Sequence, residues 1–185
     1  GDAMSATNDC ILIGEAAGSS INHTDADGQV FIGFNAGYSN TAGRFNTFIG
    51  STAGYENGIG DKNIAIGLDA FKDSDATLQN DDNIFVGYQA GSGPWLTGAS
   101  TKNIGIGTQT LAAAMNSSES NIAIGYQAGN DVTTGDNNIA IGSMAGDAIT
   151  SISDCVLIGT SAGGALTSTA DTSGTVAIGK DALAA

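Results

Sequence analysis

The chain has 185 residues, of which 28 are Gly and 1 is Pro; 6% are aromatic and 13% charged. This composition fits neither a helical bundle nor a disordered acidic tail, and small residues alternating with Ile indicate a thin, closely stacked β architecture. The net charge of −14 argues against binding to nucleic acid or to an anionic membrane, and no run of ~18 apolar residues indicates a transmembrane span.

Ten short strands are predicted in chain order, each ending in an Ile-Gly or Val-Gly pair. The glycines of these pairs, called anchors below, are separated by 19, 17, 17, 20, 20, 18, 17, 17 and 20 residues. The anchors are Gly14, Gly33, Gly50, Gly67, Gly87, Gly107, Gly125, Gly142, Gly159 and Gly179. A period just under twenty residues is typical of a solenoid, so we expect residues 1–185 to form one repeat domain.

Each predicted strand is apolar on both faces. The residue directly before the anchor is Ile or Val in all ten copies, and the residue three before it is Ile or Val in nine of ten. The middle residue between them is never polar. Because such strands are buried on both faces and the repeat offers no helix, we expect other copies of the chain to cover one face. The large middle residues are the predicted oligomer interface: Leu12, Phe31, Phe48, Phe85 and Leu157.

Two further columns predict how each rung turns. Four residues before the anchor, six copies carry Asn, which is typical of a turn or of a stacked amide ladder. Three residues after the anchor, nine of ten copies carry Ala, usually followed by Gly. This pattern predicts a tight interior on a second short strand, with Gly giving the backbone the freedom to bend. The polar segments between copies vary in length, so we expect them to be surface loops.

The stretches GFNAGYSNTAGRFNTFIG (33–50) and NIAIGYQAGNDVTTGDNNIAIG (121–142) resemble the repeats of tail-fibre proteins, which commonly end in a self-cleaving intramolecular chaperone of the S74 peptidase type. A looser likeness exists to the head repeats of trimeric autotransporter adhesins. The resemblance implies a left-handed β-roll, an elongated homotrimer, and a virion or other extracellular location. It implies a structural and receptor-binding role in attachment to a host-surface glycan or protein, with a bacterial adhesin head as the alternative.

Aromatic residues in the loops are the candidate receptor contacts, because Tyr and Trp can stack against sugar rings. They are Trp95, Tyr38, Tyr55, Tyr88 and Tyr126. Trp95 lies in the inserted loop segment Gly93-Pro94-Trp95-Leu96, where the alternative interpretation is a hydrophobic plug that covers a rung.

Three acidic pairs are candidate ligands for structural calcium: Asp25 and Asp27, Asp73 and Asp75, and Asp81 and Asp82. Their spacing misses the known calcium motifs, so we expect ordinary solvated charge and no cofactor, with calcium as the alternative.

The two cysteines, Cys10 and Cys155, stand in the same column eight anchors apart. At ~4.8 Å a rung they would be about 38 Å apart, so we expect free thiols.

The segment Gly159–Gly163 matches the G-x-S-x-G pattern of hydrolases. That pattern needs a strand, a turn, a helix and a later His, whereas His23 lies upstream, so we expect no enzyme.

Ice binding is a minor alternative for a flat solenoid. It would need a regular outward array of Thr, and the column after the anchor has none.

Overall fold

The structure is a computed structural model and describes residues 9–22, 26–95, 97–166 and 172–184. These residues contain ten three-residue strands and no helix. The strands are β1 (Ile11–Ile13), β2 (Val30–Ile32), β3 (Thr47–Ile49), β4 (Ile64–Ile66), β5 (Ile84–Val86), β6 (Ile104–Ile106), β7 (Ile122–Ile124), β8 (Ile139–Ile141), β9 (Val156–Ile158) and β10 (Val176–Ile178). Every strand ends at the residue before an anchor, as the repeat predicts.

The ten strands form one parallel sheet in chain order, from β1 at one end to β10 at the other. Each rung pairs with the next without a slip, so that Leu12 lies opposite Phe31 and Phe31 opposite Phe48. The chain is therefore a β-solenoid of about nine turns, which confirms the all-β repeat prediction. The left-handed sense and the number of copies in the assembly stay predictions.

The structure reverses the predicted roles of the two faces of the sheet, so that the face expected between copies is the interior of one chain. The side chains of Phe31, Phe48, Phe85 and Leu157 are fully buried inside one chain, where they form the core of the solenoid. Leu12 is partly buried and packs against the same core. Because these side chains point inward, they do not form the surface between copies, and the predicted interface is wrong. The Ile and Val residues on either side of them point outward instead.

Large and small side chains are mixed along the interior. The rings of Phe31 and Phe48 stack with centroids 4.9 Å apart. Further along, the ring of Phe85 is followed on the next rung by Gly105, where an added Cβ would lie 2.8 Å from that ring. A middle position can therefore be Gly or Ala where its neighbour is aromatic, since interiors pack at nearly constant density.

The Asn column forms the predicted ladder. The N–H of Asn63 donates to Oδ1 of Asn46 at 2.8 Å, and Nδ2 of Asn63 donates to the carbonyl of Asn80 at 2.6 Å. The backbone-to-side-chain bond of this type recurs on every step from Gln29 to Cys155. Buried amides thus satisfy the backbone N–H at the entrance to strands β3 to β9.

The corners are made by left-handed backbone rather than by a second strand. The residue two after each anchor has φ between 53° and 56°, and the Ala that follows it lies in a turn, so the predicted second strand is wrong. Each anchor has φ between 123° and 139°. A Cβ on Gly87 would lie 2.3 Å from the carbonyl oxygen of Gly107, so stacking itself requires glycine at the anchor.

Cys10 and Cys155 are not joined in a disulfide, as expected: Cys155 is buried and Cys10 is half-buried. In the described residues no helix has the length and apolar character to cross a membrane.

Candidate functional site

The outward side of the sheet is the most distinctive surface of the chain. It consists of the residues one and three before each anchor, and we call it the outward face. Nineteen of its twenty positions are Ile or Val, and Thr47 is the exception. None of the twenty is buried, and exposure reaches 57% at Ile13 and 67% at Ile178. A continuous apolar surface therefore runs the length of the solenoid.

The outward face is larger than a monomer's surface usually tolerates. From the exposed fractions, its Ile and Val residues present on the order of 1,000 Å² of accessible surface, against ~300–600 Å² for the largest apolar patch of a typical monomer. It carries no charged residue, although the whole chain has a net charge of −14. Both properties are typical of a surface that another molecule covers.

One border of the outward face is acidic. This acidic edge consists of the residues five and six before each anchor, and it carries eight carboxylates and three cations among the described residues. The carboxylates accept bonds from the rung before them, since the N–H of Arg44 donates to Oδ1 of Asp61 and the N–H of Asp61 to Oδ1 of Asp81, both at 2.8 Å. Burial raises the pKa of Asp81, and the charges of Asp61 and Asp82 add to the effect.

The opposite border consists of the residues one and two after each anchor, and we call it the anchor edge. Four large apolar or aromatic side chains are exposed there: Phe34, Leu68, Tyr88 and Tyr126. Beside them the side chains of Gln89, Gln109 and Gln127 form an amide ladder, with Nε2 to Oε1 distances of 3.1 and 3.2 Å. The anchor edge is therefore mostly uncharged from the fifth rung to the ninth.

The four tyrosines proposed as receptor contacts fall on two separate columns. Tyr88 and Tyr126 lie two rungs apart on the anchor edge and are about half exposed. Tyr38 and Tyr55 lie five residues after their anchors, and their rings stack with centroids 5.1 Å apart and an interplanar angle of 10°. The structure therefore presents two aromatic pairs rather than one site.

Trp95 is buried, and its assignment as an exposed receptor contact is wrong. Its ring packs edge-on against Phe71 and Phe85, with centroids 5.0 and 5.7 Å away. The inserted loop folds back so that Trp95 bridges to Ser74 of the preceding rung. The hydrophobic-plug alternative is the correct one.

The acidic pairs differ in their surroundings. Asp75 accepts two bonds from Thr77, from its N–H at 2.7 Å and from its Oγ1 at 2.6 Å, and these bonds lower its pKa. Asp73 lies 3.9 Å from Lys72. Asp27, Asp81 and Asp82 lie on the acidic edge, while Asp25 and His23 lie outside the described residues. Where the structure describes the chain, no three His, Cys, Asp or Glu residues are grouped as metal ligands would be.

The outward face is the candidate interaction surface, which the sequence prediction placed on the wrong columns. The Asn column contained the information needed to assign the faces. Side chains two residues apart lie on the same side of a strand, so a buried ladder four residues before the anchor places the residue two before the anchor on the inward side as well. Phe45 was also missed; it is 58% exposed on the acidic edge. Its position, between the polar residues of a loop, is the usual setting of an exposed side chain and was the available signal.

Comparison of the chain with models of protein families, with curated proteins and with solved structures finds no match.

Proposed function

We propose that this chain is a structural and receptor-binding segment of a homotrimeric fibre, of the tail-fibre type, that attaches a virion to a glycan or protein on its host's surface. The observation that carries the proposal is the outward face, which runs unbroken along all ten rungs. A fibre needs an elongated body whose copies associate along their length, and an apolar face that continues from rung to rung can supply that association.

The stack is built to be stiff. Every rung is joined to the next by parallel strand pairing, and the ladder of buried amides joins the second rung through to the ninth. Ten rungs at ~4.8 Å give a body about 45 Å long. The segments between the rungs differ in length, and their exposed residues can vary without disturbing the stack.

The two tyrosine pairs are the proposed receptor contacts. Exposed aromatic rings offer rigid, amphipathic surface to a sugar or a peptide at a low entropic cost. Three copies of the chain would present each pair three times, so weak single contacts would add through multivalency. The proposal includes no catalytic step and no cofactor.

The experiment is attachment of the labelled chain to a panel of whole bacterial cells. The double variants Tyr38→Ala/Tyr55→Ala and Tyr88→Ala/Tyr126→Ala are each expected to weaken attachment if their pair contacts the receptor, by roughly tenfold or more for a hot spot. Thr108→Ala, between Tyr88 and Tyr126 on the anchor edge, is the matched control. Parent-like attachment by both double variants, or no attachment by the parent to any cell, would contradict the receptor role.

The homotrimer is tested separately by the native mass in solution. Three copies of 18.3 kDa make about 55 kDa. The measurement is made with and without a calcium chelator, and loss of the trimer on chelation would assign a metal to the acidic pairs. A mass of two copies would replace the trimer with a dimer without changing the attachment experiment.

A further inference from the structure

The outward face lacks a cover within the described part of the chain. All-parallel sheets occur almost only with both faces covered, and their strands read as continuous apolar runs. Here the interior covers one face, and the other presents nineteen Ile and Val side chains to solvent. The energetic consequence is large, since each square ångström of apolar surface removed from water contributes about 25 cal/mol.

We propose that the outward face of one copy packs against the outward face of another copy of the same chain. This inference rests on the proposed function and deepens it, because it names the surface through which the copies associate. It assigns that role to the Ile and Val columns and takes it away from the middle residues, which are already buried.

The size of the face suits this occupant. A stable interface of standard size buries about 800 Å² on each partner. The outward face offers on the order of 1,000 Å², nearly all of it apolar, which is the composition of a permanent interface rather than of a transient one.

The repeat of the face points to a partner with the same repeat. Its β-branched side chains form rows spaced at ~4.8 Å, the distance between neighbouring strands. Another surface can interdigitate with these rows along the whole length only if its own rows have that spacing. A second copy of the chain has it at every rung, whereas the surface of an ordinary globular protein does not.

Charge argues against the other occupants. A segment of nucleic acid or a charged peptide would find no side chain on the outward face to pair with. An anionic lipid surface would be repelled by the acidic edge and by the net charge of −14. A second copy presents an uncharged apolar face to this one, and its carboxylates lie at the border of that face rather than on it.

The test compares two lysine substitutions on one rung. Ile124→Lys places a charge on the outward face at a residue that is 37% exposed, and Thr134→Lys places the same charge on an exposed loop of that rung. We expect the parent and Thr134→Lys to share an oligomeric mass at high micromolar concentration. Ile124→Lys is expected to run at 18.3 kDa with the parent's circular dichroism spectrum.

A gentler variant guards against misfolding. Ile106→Thr/Ile124→Thr keeps β-branched side chains in both strands and removes only apolar surface, so a shift of its dimer or trimer dissociation to higher concentration is expected. In a Cys10→Ser background, Ile124→Cys is expected to cross-link copies through a short bismaleimide, and Thr134→Cys is not.

The proposal is overturned if the parent is a monomer at high micromolar concentration, or if folded Ile124→Lys keeps the parent's mass. It is also overturned if a monomeric parent co-sediments with vesicles of neutral phosphatidylcholine and Ile124→Lys does not, because the occupant would then be lipid. None of these readouts depends on a receptor. If the tyrosine variants attach to cells as the parent does while the mass measurements agree with the expectations above, the receptor-binding function is contradicted. The interface between copies then still stands.

Discussion

Buried Asn side chains connect neighbouring rungs in a way that no apolar residue could. The Oδ1 atom of Asn103 accepts from the N–H of Asn121 at 3.0 Å, while its Nδ2 atom donates to the carbonyl of Ser118 at 2.9 Å. Both partners belong to the next rung and are buried. One side chain thus satisfies a backbone donor and a backbone acceptor that have no access to water.

Replacing Asn103 by Ala should therefore be costly. The change leaves the buried N–H of Asn121 without its partner, removes one of the two bonds to the carbonyl of Ser118 and opens a small cavity, so we expect the free energy of unfolding to fall by about 2–4 kcal/mol. Asn130→Ala is the control, because the side chain of Asn130 donates to the surface carboxylate of Asp131, and its loss should change stability by less than ~0.5 kcal/mol. Both are measured by urea unfolding at one protein concentration. Equal effects would mean that the ladder contributes nothing beyond a surface amide.

The anchor glycines allow steric crowding to be separated from backbone strain. Gly87 and Gly179 share the same unusual backbone, with φ of 139° and 123°. A Cβ on Gly87 would lie 2.3 Å from the carbonyl oxygen of Gly107, whereas a Cβ on Gly179 meets nothing within 4 Å. Gly179→Ala therefore tests the strain alone.

We expect Gly179→Ala to lower the free energy of unfolding by about 1–3 kcal/mol, the usual cost of a side chain in such a conformation. Gly87→Ala should cost substantially more or prevent folding, because the neighbouring backbone would have to move away. Thermal and urea unfolding of both variants provide the measurement. If the two substitutions cost the same, close stacking of the anchors is not what requires glycine.

At the scale of the strand, the sequence predicted the elements well and the faces badly. The anchors located all ten strands because Ile-Gly and Val-Gly pairs mark where each one ends. A strand of three apolar residues has no alternation, however, so the pattern could not say which face was interior. The size of the side chains carried that information: the interior column mixes Phe85 with Gly105, while the outward columns are uniformly β-branched.

The inserted loop shows a second limit of sequence reasoning. Trp95 follows a Pro in a polar segment, which is the usual setting of an exposed residue. It is buried because Phe71 replaces the Gly that usually follows the Ala of a rung, and the two rings pack together at 5.0 Å. Phe71 and Trp95 are 24 positions apart in the sequence and lie on different rungs, so no local sequence pattern indicates their contact.

The acidic edge should make stability depend on pH. Because the pKa of Asp81 is raised above its ordinary value of 3.8 in the folded state, the folded chain takes up this proton before the unfolded chain does. The charged form of Asp81 therefore lowers the free energy of unfolding at neutral pH. This destabilisation disappears as the pH falls through the folded-state pKa toward 3.8. The pKa values of Glu56 and Asp147 are raised as well, chiefly by burial, and act in the same direction.

We expect Asp81→Asn to increase the free energy of unfolding at pH 7 by up to about 1 kcal/mol, since solvent screens this partly exposed group. The variant should also weaken the rise in stability between pH 7 and pH 4. Asn keeps the oxygen that accepts from the N–H of Asp61. Asp154→Asn is the control, because it removes an equal charge from an exposed position on the same edge. A parallel response of both variants would assign the pH dependence to net charge alone.

For the whole molecule, stacking makes each rung a unit that contacts only its neighbours. Residues 126–142 form one complete period between the anchors Gly125 and Gly142. Their removal would bring Asn121 beside Cys155, whose N–H already bonds an Asn of the preceding rung at 3.0 Å. The side chain of Asn121 could then donate to the carbonyl of Ile152, as Asn138 does now.

We therefore expect the chain without residues 126–142 to fold as a nine-rung solenoid with one cooperative transition. Its free energy of unfolding should fall by only about 1–3 kcal/mol, in proportion to the residues removed. Removal of residues 126–134 takes out fewer residues but leaves half a period. The strands, Asn residues and anchors that follow the deletion are then out of register with those that precede it. Circular dichroism and urea unfolding distinguish the two. If the shorter deletion is tolerated as well as the longer one, the columns do not fix the register, and the rung is not the unit of this fold.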